Sequence, residues 1–120
     1  MPTLEISIAA RLDGVLLAGF PKIRRLACDE AQTFEYERAT GGGYIALPTG
    51  ELAEVQALIL SADQQVTLRL DAQSDAGIVI NAGGLVLLFD VDIDSGVATN
   101  ATVDNGSGST AVIEGLACGT

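Results

Sequence analysis

The stretch FDVDIDSG, at positions 89–96, places an aspartate at every second residue: Asp90, Asp92 and Asp94. Carboxylates in such a run could bind calcium, act as acid and base, or form the solvated face of a strand. An EF-hand calcium loop requires glycine at its sixth position and glutamate at its twelfth. Counted from Asp90, these positions hold Ser95 and Ala101. The pattern therefore argues against an EF-hand.

Alternation with apolar residues favours a strand for the same stretch. Val91 and Ile93 would enter the core, and the three carboxylates would form a row outside. Side chains two residues apart on one strand face are separated by about 6.6–7 Å, too far for two of them to chelate one small cation without a bend. We interpret the row first as a solvated face. A docking strip for a basic partner and a metal site stay open as alternatives.

Catalytic chemistry finds little support elsewhere in the chain. The sequence contains no histidine, so neither a Ser-His nor a Cys-His pair can form. Sixteen acids in 120 residues make chance neighbours common, and paired carboxylates are therefore weak evidence for acid–base catalysis. The glycines at 41–43 are not followed by the Lys-Ser/Thr pair of a phosphate-binding loop. We expect neither enzymatic activity nor a cofactor.

Lys22, Arg24 and Arg25 form a basic cluster in a chain whose net charge is −10. Basic residues on a strand edge discourage unwanted pairing, and this is the simpler interpretation. The alternative is a contact with the acidic face of a neighbouring copy, which suits head-to-tail or ring packing. A strand would send Arg24 and Arg25 to opposite faces. The basic cluster and the three aspartates are our candidate interface residues.

Charge and composition also limit the partners and the location. A strongly acidic surface repels nucleic acid and anionic membranes, so neither is an expected partner. No apolar run approaches the roughly 20 residues of a spanning helix, and the first ten residues do not resemble a secretory signal. Cys28 and Cys118 are too few for a disulfide framework. We expect two semi-buried thiols, although a long-range bridge stays open.

Short extended segments dominate the rest of the pattern. Apolar residues alternate along the first of them, at Leu4, Ile6, Ile8, Ala10 and Leu12, which predicts a strand with these side chains on one buried face. Asp13-Gly14 follows, a favoured two-residue hairpin turn, and 15–20 would return as a strand. Further strands are predicted at 22–28, 33–38, 44–47, 52–60, 65–70, 76–81, 85–94, 99–103 and 110–116.

Three features of this pattern carry specific expectations. The Gly41–Gly43 run predicts a flexible break, and the Asp104–Gly108 segment predicts a hairpin. The continuous apolar run Leu85–Phe89 predicts a strand covered on both faces. Segment 52–60 could also be helical, but strands on both sides favour a strand. The whole predicts one all-β domain over 1–120, a β-sandwich or jelly roll of about eight to ten short antiparallel strands.

Two segments carry a resemblance to a known family. LPTGELAEVQALILSADQQVTLRLDAQSDAGIVINAGGLVLLF and TNATVDNGSGSTAVIEGLACGT resemble small β-sandwich virion structural proteins of tailed bacteriophages. The resemblance lies in the Asn-Gly and Gly-Gly turns, the strands rich in Ala, Thr and Val, and the ending Gly-Leu-Ala-Cys-Gly-Thr. It includes no catalytic signature, so it assigns no functional residue.

The resemblance implies a structural role in a virion. The expected function is that of a capsid decoration, or cement, protein that stabilises contacts between capsomers after assembly in the host cytoplasm. Its partners would be the major capsid protein or another virion protein, together with further copies of itself in a homo-oligomer. The alternatives are a neck, collar or tail component, and a carbohydrate-binding or adhesive module. The chain has few aromatic residues, which disfavours sugar stacking.

Overall fold

The structure is a computed structural model that describes residues 2–46, 54–70, 77–94 and 102–119, with the backbone alone at 42–46 and 91–94. These residues form twelve strands and no helix. The strands are β1 (Thr3–Ile8), β2 (Arg11–Leu12), β3 (Val15–Leu16), β4 (Lys22–Ala27), β5 (Glu30–Arg38), β6 (Gly41–Ala46), β7 (Glu54–Ala62), β8 (Val66–Arg69), β9 (Ile78–Ile80), β10 (Leu85–Asp94), β11 (Thr102–Asn105) and β12 (Ala111–Gly119).

The last eight strands form two four-stranded sheets. Their orders are β10-β7-β12-β5, which we call the first sheet, and β6-β11-β8-β9, the second. Pairing is nested and antiparallel: β5 pairs with β12, β6 with β11, β7 with β10 and β8 with β9. Among these eight strands, the first therefore pairs with the last, the second with the seventh, the third with the sixth and the fourth with the fifth. This nested pairing is typical of a jelly roll. The predicted all-β fold is therefore confirmed.

The core of the jelly roll lies between the two sheets. Its buried side chains come from both sheets, with Leu58, Leu60 and Ile113 on one side and Leu68 and Val103 on the other. Phe34 and Gly115 are paired on neighbouring strands of the first sheet, and the Phe34 ring lies over the glycine. A Cβ at Gly115 would lie 3.1 Å from the end of that ring. The alternating burial of β8, buried then half-buried, shows one face entering this core.

The segment predicted as a hairpin at Asp104–Gly108 instead connects the two sheets. It turns, but β11 pairs with β6 and β8 whereas β12 pairs with β5 and β7. Asn105, fully buried, fixes the crossing: its Nδ2 donates to the carbonyls of Arg38 and Ser109 at 2.8 Å each. Its Oδ1 accepts from the Ser107 backbone N–H and hydroxyl. These side-chain bonds hold a loop that no ladder pairing holds.

Other sequence expectations fare unevenly. The segment predicted at 52–60 is a strand where it is described, in β7. The predicted break at Gly41–Gly43 is wrong, because β6 begins at Gly41 and pairs with β11. The run Leu85–Phe89 is covered on both faces along most of its length. Val86 and Leu88 pack against the core between the sheets and Phe89 packs against the cluster beneath the arm, whereas Leu85, at the start of the strand, is 68% exposed. Pro48-Thr49-Gly50, whose residue types predict a turn, lies outside the described residues.

Residues 2–27 form an arm that precedes the jelly roll. β1 pairs with β4 as a two-stranded ribbon, and β2 with β3 forms a smaller hairpin at its far end. Asp13 and Gly14 have φ of 52° and 79°, the left-handed pair of a type I′ turn, so the predicted Asp-Gly hairpin turn is confirmed. The returning strand ends at Leu16 and does not reach position 20, and β1 ends at Ile8.

A disulfide joins the arm to the jelly roll. Cys28 follows β4, Cys118 lies in β12, and their Cα atoms are 6.1 Å apart. The expectation of two free thiols is therefore wrong. Both cysteines are buried with Ala57 on the outer face of the first sheet, where Leu4 and Leu26 of the arm pack against them. The radius of gyration is 15.0 Å, against about 13.6 Å for a compact chain of this length, as an extended arm requires.

Candidate interaction surface

The ribbon of the arm presents two different faces. Register pairs Leu4 with Leu26, Ile6 with Arg24 and Ile8 with Lys22, so these side chains share the face toward the first sheet. Glu5 and Arg25 pair on the opposite face, where Arg25 Nε donates to Glu5 Oε2 at 2.7 Å. Both side chains of that ion pair are mostly exposed, so it contributes at most about 1 kcal/mol.

The predicted basic cluster is therefore divided by the strand. Lys22 and Arg24 lie on the face with Ile6 and Ile8, and Arg25 lies on the other face and is already paired. Lys22 Nζ lies 5.2 Å from the centre of the Phe20 ring. Neither Lys22 nor Arg24 forms an ion pair with any residue the structure describes. Both residues are exposed even though this face of the ribbon is turned toward the first sheet, so their charges are accessible to a partner.

The tip of the arm exposes an apolar patch, which we define as Leu12, Val15, Leu16 and Leu17. Leu12 and Val15 face each other across the hairpin, and each is 67% exposed. Leu16 and Leu17 are about two-fifths exposed, and Arg11 stands opposite Leu16. Single exposed apolar residues are ordinary, but a contiguous group with a polar surround marks an interaction site.

A groove separates the arm from the outer face of the first sheet. Ile6 and Ile8 of the arm line it on one side, and Ile59, Leu85 and Leu87 line it on the other. Its volume is about 330 Å³. The arm packs firmly at Leu4 and Leu26, near the disulfide, and the groove opens beyond that contact. Apolar side chains therefore line the groove on both the arm and the first sheet.

The same sheet face becomes acidic past the groove. We call this region the outer hollow; its volume is about 450 Å³ and its lining is Thr33, Phe34, Glu35, Ile59, Ser61, Glu114 and Gly115. Glu35 and Glu114 are exposed and directly opposite each other in the ladder. Like charges in this position destabilise a sheet. Glu37, two residues from Glu35, adds a third carboxylate, and no described residue forms an ion pair with any of the three.

The outer face of the second sheet differs. Its Asp104 accepts from Arg69, with Asp104 Oδ2 and Arg69 Nη1 3.2 Å apart, and both side chains are mostly buried. Because this pair is mostly buried and its charges neutralise each other, it leaves little charge for a partner. The outer face of the first sheet, by contrast, carries the three carboxylates of Glu35, Glu37 and Glu114, and none of them forms an ion pair with a described residue.

The aspartates at 90, 92 and 94 do not follow one continuous alternation. Register along β10 shifts between Phe89 and Ile93, and Asp90 adopts a left-handed φ of 57°. Such a bulge turns the strand and interrupts the regular exchange of faces on which the predicted carboxylate row depends. Asp90 is exposed, and Asp94 stands at the register position of Glu54. The side chains of Asp92 and Asp94 lie outside the described residues.

The side chains that the structure describes offer little reactive chemistry. They include no group of three or more His, Cys, Asp or Glu that could hold a metal ion. Burial raises the pKa of Tyr36 to about 12, partly opposed by the nearby Arg38 guanidinium. The phenol is neutral at physiological pH, and its hydroxyl is buried with no hydrogen-bond partner among the described residues. Arg38 is buried and donates to the carbonyls of Val103, Ala39 and Gly41, a structural role.

Sequence reasoning missed the tip patch and the outer hollow. The alternation of the first strand assigned Leu12 to a buried face, although the ribbon overhangs the sheet instead of joining it. Glu35 and Glu114 lie far apart in sequence, so nothing local signals that they are neighbours. Knowledge that β5 pairs with β12 would have shown it.

Comparison with known proteins adds no relationship. No family model, curated protein or solved structure matches the chain. In the parts of the chain that the structure describes, there is no helix with the length and apolar character to cross a membrane.

Proposed function

We propose that the protein is a non-enzymatic structural component of a virion, and that it acts as a capsid decoration protein. The observation that carries this proposal is the arm: a ribbon that projects from the jelly roll, with an exposed apolar tip and two cations, Lys22 and Arg24, that form no ion pair with a described residue. Such a surface is built for association. The sequence resemblance to small virion proteins of tailed bacteriophages supports the same role.

The jelly roll supports the proposal by analogy. Eight-stranded jelly rolls occur in viral capsid proteins and in lectins. Fold alone does not determine function, so the choice between these classes depends on the surface. Lectin sites use exposed aromatic faces for sugar stacking. Among the aromatic side chains that the structure describes, Phe34 is buried and Phe20, Tyr36 and Phe89 are partly buried, so none presents a fully exposed ring, which favours the capsid class.

The disulfide is compatible with service on the exterior of a particle. Disulfides persist at virion surfaces and in other oxidising surroundings, and they are rare in a reducing cytoplasm. Chains assembled in the host cytoplasm would oxidise once the particle leaves the cell. The bridge then fixes the arm at the time when the particle must survive outside.

The proposed mechanism is added buried surface at the junctions between capsomers. One standard interface buries about 1,600 Å², and its repetition over many symmetric sites multiplies a moderate affinity. The major capsid protein is the expected partner. An acidic exterior would also keep host and viral nucleic acid away from the particle.

The experiment is localisation in native particles. Purified virions of the phage encoding this chain should contain it in many copies per particle, and cryo-electron microscopy should place it on the capsid at contacts between capsomers. Capsids that lack it should rupture at a lower temperature than complete capsids. Absence from the particle, or density confined to the neck or tail, would overturn the decoration role.

A further inference from the structure

We propose that the arm of one copy docks on the outer hollow of a second copy, with the apolar tip patch on the hollow's uncharged surface and the arm cations on its carboxylates. This inference goes beyond the virion role and does not depend on it. The partner is identified by chemistry: another molecule of this chain carries the complementary surface. Each copy has one arm and one hollow.

Charge separation along the chain is the first argument. Arg11, Lys22, Arg24 and Arg25 place four of the six bases in the arm, against two acids, Glu5 and Asp13. The rest of the chain holds the other two bases and the other fourteen acids. The arm therefore has a net positive charge although the protein is strongly acidic. A positive projection on one copy is attracted to the negative body of the next.

The pairing state of these charges is the second argument. Of the two bases outside the arm, Arg69 pairs with Asp104 and Arg38 is buried among backbone carbonyls. Glu35 and Glu114 face each other with no described cation between them. A cation from outside would relieve this repulsion, and the arm supplies Lys22 and Arg24 on one face of β4.

Apolar surface is the third argument. On the arm, the tip patch exposes Leu12 and Val15 beyond one end of β4, the strand that carries the cations. In the outer hollow, Ile59 and Gly115 lie beside the carboxylates. Ile59 also lines the groove under the resident arm, so uncharged surface continues between the two depressions. The donor thus combines an apolar end with a basic flank, and the acceptor combines an apolar stretch with an acidic flank.

The geometry of this contact is heterologous, because arm and hollow are different surfaces. Such contacts close into a ring, exchange arms within a pair, or continue as a filament. In each case the arm is the donor. Association should weaken as salt rises, since the Debye length falls from about 10 Å at 0.1 M to about 3 Å at 1 M.

Sedimentation velocity of the intact, oxidised chain tests the proposal. We expect concentration-dependent association at low salt and weaker association at 1 M salt. Lys22→Glu with Arg24→Glu, and separately Glu35→Lys with Glu114→Lys, should each weaken self-association on the order of a hundredfold. Circular dichroism and melting establish that each variant is folded.

A mixture of the two charge-reversed variants is the decisive experiment. The acidic arm of the first variant then faces the basic hollow of the second, so a mixed complex should form where neither variant associates alone. Asp29→Lys with Glu30→Lys makes the same change in net charge as the hollow variant at a different exposed site, and it should retain association. Folded variants that fail to associate when mixed would overturn the docking.

The apolar half has its own variant. Leu12→Ser with Val15→Ser should weaken association at both salt concentrations, whereas Val79→Ser, at an exposed apolar residue on the edge of the second sheet, should not. A wild-type chain that sediments as a monomer at every concentration overturns this inference and leaves the virion role intact. Absence from virions overturns that role and leaves the docking intact.

Discussion

The arm and the jelly roll are built from the same kinds of residue but use them in opposite ways. In the jelly roll, alternation sends Leu, Ile and Val between two sheets, and several of these side chains are fully buried. In the arm, no residue of β1 to β4 is buried, and the most apolar stretch stands in solvent. Alternation alone therefore does not show whether an apolar face is covered by its own chain or is left for a partner.

The difference also concerns what holds each part in place. A two-stranded ribbon is marginally stable by itself in water. The arm depends on the contact of Leu4 and Leu26 with the first sheet and on the Cys28–Cys118 bridge. Beyond that base its position is set by little else among the described residues, which suits an element whose ordered state is completed by docking.

Removing the bridge should have the largest effect on this comparison. Cys28→Ala with Cys118→Ala opens a link across 90 residues, and we expect a loss of about 2–5 kcal/mol in the free energy of unfolding. Urea denaturation measures it, and proteolysis should cut the arm faster in the variant. Full reduction of the wild-type chain, verified by thiol titration, should reproduce the loss; an unchanged unfolding midpoint would contradict the prediction.

A matched pair of leucines compares the two regions directly. Leu60 is fully buried between the sheets, so Leu60→Ala should cost about 2–5 kcal/mol. Leu12 is mostly exposed at the tip, so Leu12→Ala should change the free energy of unfolding by less than about 0.5 kcal/mol. Both are measured by denaturation at a concentration where the chain is monomeric. A cost at Leu12 similar to that at Leu60 would mean that the tip packs within its own molecule.

Alkaline pH should act on the jelly roll through Tyr36. Its pKa is about 12 when folded and about 10 when unfolded, so the unfolded chain releases the proton first. The folded state then binds more protons, and stability falls as pH rises from about 10 toward 12. Tyr36→Phe should reduce this slope, as followed by melting temperature against pH. An identical slope in both proteins would refute the assignment.

A substitution in the turn at the tip should have a small effect that is confined to the arm. Gly14 has a left-handed φ of 79°, so Gly14→Ala should cost roughly 1–2 kcal/mol locally. Hydrogen exchange should quicken at the amides of β2 and β3 and stay unchanged in the jelly roll. Gly106→Ala is the matched control, because that glycine has open space around its Cβ position and no left-handed φ. Equal changes in arm and jelly roll would show that the two unfold together.

Sequence alone predicted the parts of this structure that depend on near neighbours. Period-two alternation gave the strands, and Asp13-Gly14 gave the hairpin turn, because both signals act over a few residues. The Asp104–Gly108 segment shows the limit: its turn chemistry is local, but whether the next strand joins the same sheet depends on β5 and β7. Pairing with β11 likewise makes a strand of Gly41–Gly43 despite weak local propensity.

The candidate surface was less accessible to prediction for the same reason. Lys22, Arg24 and Arg25 were identified from charge alone, and alternation separated Arg24 from Arg25. The acidic counterpart was sought at 90–94, where a bulge breaks the pattern, while Glu35 and Glu114 meet only after distant strands pair. The pairing of Cys28 with Cys118 was hidden by the same long-range topology.

The nested strand order also determines when in folding the disulfide between Cys28 and Cys118 can form. β5 and β12, the first and last strands of the roll, must be side by side before Cys28 can reach Cys118. Pairings between strands so far apart in sequence are slow to form. The fraction of molecules with solvent-accessible thiols in a freshly made sample would therefore report the fraction in which β5 and β12 have not yet paired.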